Sequence, residues 1–198
     1  MFYSDWNEWI KGFVKNILPF IQNFNTFNPK SIFMALKDAF IAELKHESAL
    51  TKKMLERVPL DKKDWKPHEK SMTLGRLATH VAEIPHWTSD IIHIDVYDFQ
   101  QHYTPGQTAS TQEELIKTFQ EKLDKAIADL EKTNDEEFKK MWTVKGGEKV
   151  YYHLPKSVAL RGWSFSHLFH HRGQLSVYLR LLDVPIPGMY GPSADEPM

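Results

Sequence analysis

The sequence predicts an all-α fold, a four-helix bundle with a small β-hairpin before the last helix. Three observations carry this expectation. Four long stretches repeat apolar residues with helical period, cap signals stand at their starts, and one short segment reads as a hairpin around Gly146-Gly147. The chain of 198 residues is long enough for one domain with a sizeable core.

Residues 1–29 read as an N-terminal amphipathic extension, and residues 30–198 as the domain. Trp6, Ile10, Phe13, Ile17, Phe20 and Phe24 share one helical face, with Lys11, Lys15 and Asn16 elsewhere and Pro19 interrupting. A basic start, a continuous apolar region and a cleavage site are all missing, so this is not read as a signal peptide. It is expected to pack on the domain or on a second subunit, rather than to lie in a membrane interface, for which a Lys- and Arg-rich polar face is wanting.

The first long helix is expected from the Asn28-Pro29 cap to Arg57, ending before Pro59. Phe33, Leu36, Phe40, Leu44, Glu47, Thr51, Met54 and Val58 form its buried stripe. Glu47 breaks that stripe, and a buried carboxylate needs a partner or a route to solvent. The second helix is capped by Ser71 or Thr73, runs to about Ile94, and should kink at Pro85. Its stripe is Thr73, Leu77, His80, Ile84, Trp87 and Ile91. The polar stretch from Asp95 to Ser110 is expected to be a long loop. Ser110-Thr-Gln-Glu113 reads as a capping box opening the third helix, with Leu115, Phe119, Leu123, Ile127 and Leu130 inward. Met141–Val144 and Val150–Leu154 flank the Gly-Gly turn. The fourth helix starts near Lys156 or Ser157, and a Pro/Gly-rich tail after Leu182 runs as an irregular strap.

On the fourth helix Leu160, Ser164, His167, His171, Leu175, Tyr178 and Leu182 lie within about 40° of one line. His167 and His171 are i and i+4, so their rings stand about 6 Å apart along the axis and can share one metal ion. An isolated pair of this kind is more often two hydrogen-bonded core histidines. His170, about 100° round the helix, cannot join them and reads as a packing or interface residue. With His80 also mid-stripe, three imidazoles face one core. Three neutral imidazoles can hold zinc, nickel or a similar cation and leave a coordination position open. Glu47, Glu83, Gln174 and Tyr178 are the nearby groups able to orient ligands or accept protons, and Glu47, Gln174 and Tyr178 are taken as the candidate catalytic residues.

Composition excludes several alternatives. The chain has no cysteine, which removes disulfides, thiolate-held zinc and a cysteine nucleophile, while ten histidines remain for a metal. With 25 basic and 26 acidic residues there is no basic stripe for nucleic acid. No apolar run reaches the length of a membrane span, and a soluble, cytoplasmic protein is expected.

Leu-Ala-Thr-His80-Val-Ala-Glu-Ile-Pro-His-Trp87, the segment from His167 to Arg180, and the closing Val-Pro-Ile-Pro-Gly-Met-Tyr-Gly-Pro-Ser-Ala-Asp-Glu196 resemble the DinB-like family over roughly residues 30–196. That resemblance implies a four-helix bundle binding a divalent metal through one His of the second helix and an HxxxH pair of the fourth. Here these positions are His80, His167 and His171. It further implies a metal-dependent enzyme acting on a small molecule, by transfer of a low-molecular-weight thiol to an electrophile or by hydrolysis, and a homodimer. The alternative is a non-catalytic, metal-stabilised bundle whose site binds a ligand or pins two helices. A fourth protein ligand, or a pocket plugged by Trp87 or Tyr178, would favour that alternative.

Arg161, Phe165, Phe169, Arg172, Ser176 and Arg180 form a mixed face of the fourth helix, either covered by the N-terminal extension or, as favoured here, used for self-association. Metal-derived stabilisation is expected to be lost below about pH 6, as protons compete for the imidazoles.

Overall fold

The computed structural model describes residues 34–104 and 106–197. The extension of residues 1–29, the Asn28-Pro29 cap and Phe33 lie outside the described residues. The helices are α1 (Leu36–Leu55), α2 (Leu74–Glu83), α3 (His86–His93), α4 (Phe99–His102), α5 (Gln112–Lys132), α6 (Lys156–Ala159) and α7 (His167–Leu181). The strands are β1 (Val96–Asp98), β2 (Met141–Gly146) and β3 (Lys149–Pro155). The described fold is mostly helical, and its three-stranded sheet corrects the all-α expectation. Among the described residues no helix is long and apolar enough to cross a membrane.

Helix α1 begins at Leu36, after the non-helical Met34 and Ala35, and so does not run on from Pro29 as expected. Ala35 has no capping side chain. Asp135 replaces it from a distance, accepting the Leu36 and Lys37 backbone N–H groups at 2.9 and 3.1 Å. These two bonds stabilise the carboxylate and hold its pKa below the usual range. Phe40, Leu44, Thr51 and Met54 are buried as the stripe requires, and the Phe40 ring meets Phe138 and Phe165 edge-on. Leu36, at the start of the stripe, stays exposed.

Thr73 caps α2 by accepting the Arg76 N–H, and α2 ends at Glu83, where Ile84-Pro85 separates it from α3. Proline lacks the N–H that would continue the ladder, so the expected kink is a break. The third long helix is capped one residue later than expected. Thr111 Oγ1 accepts the Glu114 N–H, and Glu114 accepts the Ser110 N–H at 2.8 Å. Helices α1, α2 and α3 all pack on α5, and α7 closes on α1 and α2.

The expected loop after Asp95 instead supplies β1, which pairs in parallel with β2, while β2 and β3 form the antiparallel hairpin. The hairpin turns at Gly147-Glu148, with Gly147 at φ +63°. Asp98 Oδ1 joins the two parts, accepting N–H groups of Gln100 and Gly147. Tyr97, Trp142 and Val144 are buried beneath the sheet. Lys156, 1% exposed, sits at the hairpin's exit with its ammonium shared by Glu137, Asp95 and the Ile92 carbonyl. A buried ammonium with three acceptors is the arrangement that offsets its desolvation.

The fourth helical stretch is not continuous. Between α6 and α7 the chain widens into a π-helical segment, Leu160–Ser166. Beyond the end of α7 at Leu181, Asp183 takes a left-handed φ of 58° while Val184 N–H reaches back to Leu179 O. The strap then folds over the helices, held by Asp195 on Arg180 at 2.6 Å and Glu196 on Arg57 at 2.7 Å.

The face assigned to self-association is occupied in part. Phe165 and Arg172 are buried, Arg161 pairs with Glu43, and Arg180 pairs with Asp195. Arg172 Nη2 donates to Glu47 Oε2 at 2.7 Å and to Tyr190 Oη of the strap, and its Nη1 donates to Glu47 O and Thr51 Oγ1. Helix α1 and the strap therefore cover the Arg172 part of this face, while Arg161 and Arg180 stay exposed.

Candidate metal centre

His80 lies in the last turn of α2, where Leu77, Val81 and Ile84 are buried and fix the face it presents. His167 opens α7, and His171 follows one turn on. The π-helical segment sets the first of these two. The backbone N–H of His167 goes to Ser164 O rather than to Trp163 O. The Trp163 carbonyl is thereby released from that bond, and the His167 ring meets it through Nδ1 at 3.2 Å. Ser164 is itself held by Thr88 Oγ1 of α3 at 2.9 Å, so this turn is anchored across the core.

A carbonyl only accepts, so Nδ1 of His167 carries the proton and Nε2 keeps its lone pair. His171 is oriented in the same way, with Nδ1 2.7 Å from Gln174 Oε1. Such a partner on the far nitrogen is what fixes the tautomer of a metal-ligating histidine. His80 Nε2 and His167 Nε2 stand 3.2 Å apart, and one nitrogen from each of the three rings lies within 4.8 Å of the others. Ligands about 2.1 Å from a common ion would be about 3.0 Å apart in octahedral and about 3.4 Å apart in tetrahedral geometry. The three-nitrogen donor set and the 3.2 Å His80–His167 spacing therefore suit a divalent cation, toward which the third nitrogen, within 4.8 Å, would close. No fourth His, Asp or Glu joins the group among the described residues.

The rings are partly buried, and this sets their charge. Burial, with repulsion from His171 and His167, brings His80 down from 6.5 to about 3. Burial and His171 likewise lower His167 to about 4, while the backbone bond to Trp163 opposes the shift. Burial also lowers His171, against the opposing bond from Gln174. All three are neutral lone-pair donors near neutral pH, the form a metal requires.

A cavity of about 230 Å³ opens beside His80. Its wall includes Glu83, His86, Trp87, Asp90 and Tyr97, with the α4 region and Lys122 at the rim. Trp87 forms part of the wall rather than a plug. The remaining candidates are dispersed. Glu83 is paired with Arg76 at 2.7 Å. Tyr178 donates to Met72 O at 3.2 Å and turns its ring edge onto Trp65, leaving the cavity open. Glu47 is committed to Arg172 and Tyr190 Oη, so its partner is structural and none of its hydrogen bonds goes to a histidine. Of the three candidate catalytic residues, the structure brings only Gln174 to the imidazoles, as a positioning residue. His86, Asp90 and Tyr97 escaped the sequence reading. The first two carry an i,i+4 signal on α3, whereas Tyr97 reaches the cavity only because the presumed loop pairs as a strand.

A mostly helical domain, three convergent imidazoles on two helices and a strap closing the last helix together define a class of small histidine-site domains. The sequence profile of the DinB family matches residues 31–197, and the chain belongs to that family. A crystal structure of a DinB-like protein from Bacillus cereus superposes with a TM-score of 0.60 at 20% identity, covering 76% of this chain and 95% of that one. A DinB-like protein from Bacillus subtilis gives 0.58 at 20% identity, covering 73% and 92%. At this identity the likeness concerns the fold. No curated protein matches the chain significantly.

Proposed function

We propose that this protein is a metal-dependent enzyme acting on a small molecule, by transfer of a low-molecular-weight thiol to an electrophile or by hydrolysis. The observation that carries the reading is the group of three histidine nitrogens within 4.8 Å of one another, beside an open cavity. His80, His167 and His171 would hold zinc, nickel or a similar cation, with Gln174 and the Trp163 carbonyl fixing two of the rings. When bound, such an ion lowers the pKa of a water or thiol at its open position. Trp87 and Tyr97 offer an apolar wall for the substrate, and a cavity of about 230 Å³ is smaller than that of a drug-sized ligand. The lack of a fourth ligand among the described residues, and the open cavity, favour this reading over a purely structural ion.

A cytoplasmic setting, in which small thiols stay reduced, suits the transfer reaction. A homodimer remains part of the proposal, formed through a surface other than the Arg172 face. The test is to strip the chain with chelator, reload it with zinc or nickel, and follow a thiol with an aromatic halide and, separately, an activated ester. Turnover that appears on reloading and is absent in His167→Ala supports the enzyme. Stoichiometric metal with no turnover on either substrate would favour the non-catalytic bundle.

A further inference from the structure

We propose that His86 is the proton acceptor of this site and that Asp90 stabilises its protonated form. The inference rests on the metal-dependent reading above and deepens it, by naming the group that takes the nucleophile's proton.

His86 and Asp90 sit i and i+4 on α3 and line the same cavity as His80. The His86 Nδ1 lies 2.6 Å from the Glu83 carbonyl, which can only accept, so that nitrogen bears the hydrogen. In the neutral ring Nε2 keeps its lone pair, and this atom stands 3.6 Å from Asp90 Oδ2. That distance is too long for a hydrogen bond but within reach of one. A single proton on Nε2 turns the same contact into a charge-assisted bond. No hydrogen bond joins the Asp90 carboxylate to another described residue, so the pair is open to this change.

The surroundings favour the change. Burial pushes the Asp90 carboxyl up, against His86 and the Lys125 and Lys122 ammonium groups of α5, and one proton shared with His86 leaves the pair neutral. The other groups facing the cavity are less suited. Glu83 is neutralised by Arg76, Lys122 is a cationic donor, and the Tyr97 hydroxyl is raised to about 12. His102, an exposed residue, has its Nδ1 against the Asp98 backbone. His80 belongs to the imidazole group itself.

The step balances. As the oxygen or sulfur of the nucleophile forms its bond to the electrophilic carbon, its proton passes to His86 Nε2. The leaving group departs with the bonding electron pair and recovers that proton from His86, so the pair ends as it began.

The test uses the cobalt-loaded full chain, with 2-mercaptoethanol as probe. Thiolate-to-cobalt absorption reports binding, and calorimetry in two buffers of different ionisation enthalpy counts the protons released. Near neutral pH the wild type should release close to none, whereas His86→Gln should bind with the same absorption and release about one. Asp90→Asn should fall between, and it provides a second reading if His86→Gln folds poorly by circular dichroism. Equal proton release from wild type and both variants, with normal cobalt spectra, would overturn the assignment. A wild type that binds no cobalt would overturn the metal-dependent reading and this inference with it.

Discussion

Removing the Arg172 guanidinium tests whether Glu47 serves the scaffold or the site. In Arg172→Met the alkyl stem is kept and the charge is lost. The guanidinium bonds to the Glu47 carboxylate and carbonyl, to Thr51 Oγ1 and to Tyr190 Oη, so its loss leaves a carboxylate that is 7% exposed with only the strap tyrosine. Breaking one side of a buried pair costs about 3–5 kcal/mol. At about 2–4 °C per kcal/mol for a domain of this size, the melting temperature should fall by about 6–20 °C. Urea unfolding should give the same loss without a change in slope. The double variant Arg172→Met/Glu47→Gln should recover part of the loss, because no buried charge is then stranded. Zinc stoichiometry should be unchanged in both. A loss below about 1 kcal/mol, the range of an exposed pair, or a loss of zinc binding in the folded single variant, would refute the separation of this ion pair from the histidine site.

Gln174→Ala should weaken zinc by about 10–100-fold without changing the stoichiometry, as read by competition with a chromophoric chelator. The pH dependence follows from the buried imidazoles. They titrate near 6.5 when unfolded but at about 3 for His80 and about 4 for His167 when folded. The metal-free protein should therefore hold this stability above pH 6.5 and lose it as pH falls towards 3, because only the unfolded chain binds those protons readily. Bound metal should persist to about pH 5 in a metal-release titration, which replaces the loss below about pH 6 expected from unperturbed histidines. Light scattering should give a dimer, and mutating Arg161 or Arg180 should leave it intact, because both are paired within the chain.

Much of the site was legible because it depends on helical phase alone. His80, His167 and His171 interrupt apolar stripes, and stripes read directly from spacing. Glu47 was legible as a buried acid in need of a partner, but the partner was not. Arg172 stood on a face assigned to the N-terminal extension or a second subunit, and α1, with Glu47 and Thr51, and the returning strap, with Tyr190, make it interior. The cap at Thr111 slipped by one because Ser110-Thr-Gln-Glu-Glu114 contains two overlapping capping boxes, and local pattern does not choose between them. The β1 strand was hidden for a different reason. Its partner β2 is remote in sequence, and three residues in a polar stretch carry no periodicity. The π-helical turn left no signal that spacing at 100° per residue detects, although it releases the carbonyl that orients His167.

The central claim is that His80, His167 and His171 bind one ion together. X-ray absorption on the zinc-loaded chain measures this directly. The expected result is one zinc per chain with three imidazole nitrogens at about 2.0–2.2 Å, and a depleted imidazole shell in His167→Ala. Substoichiometric zinc, or a shell with fewer than two imidazoles in the wild type, would contradict it.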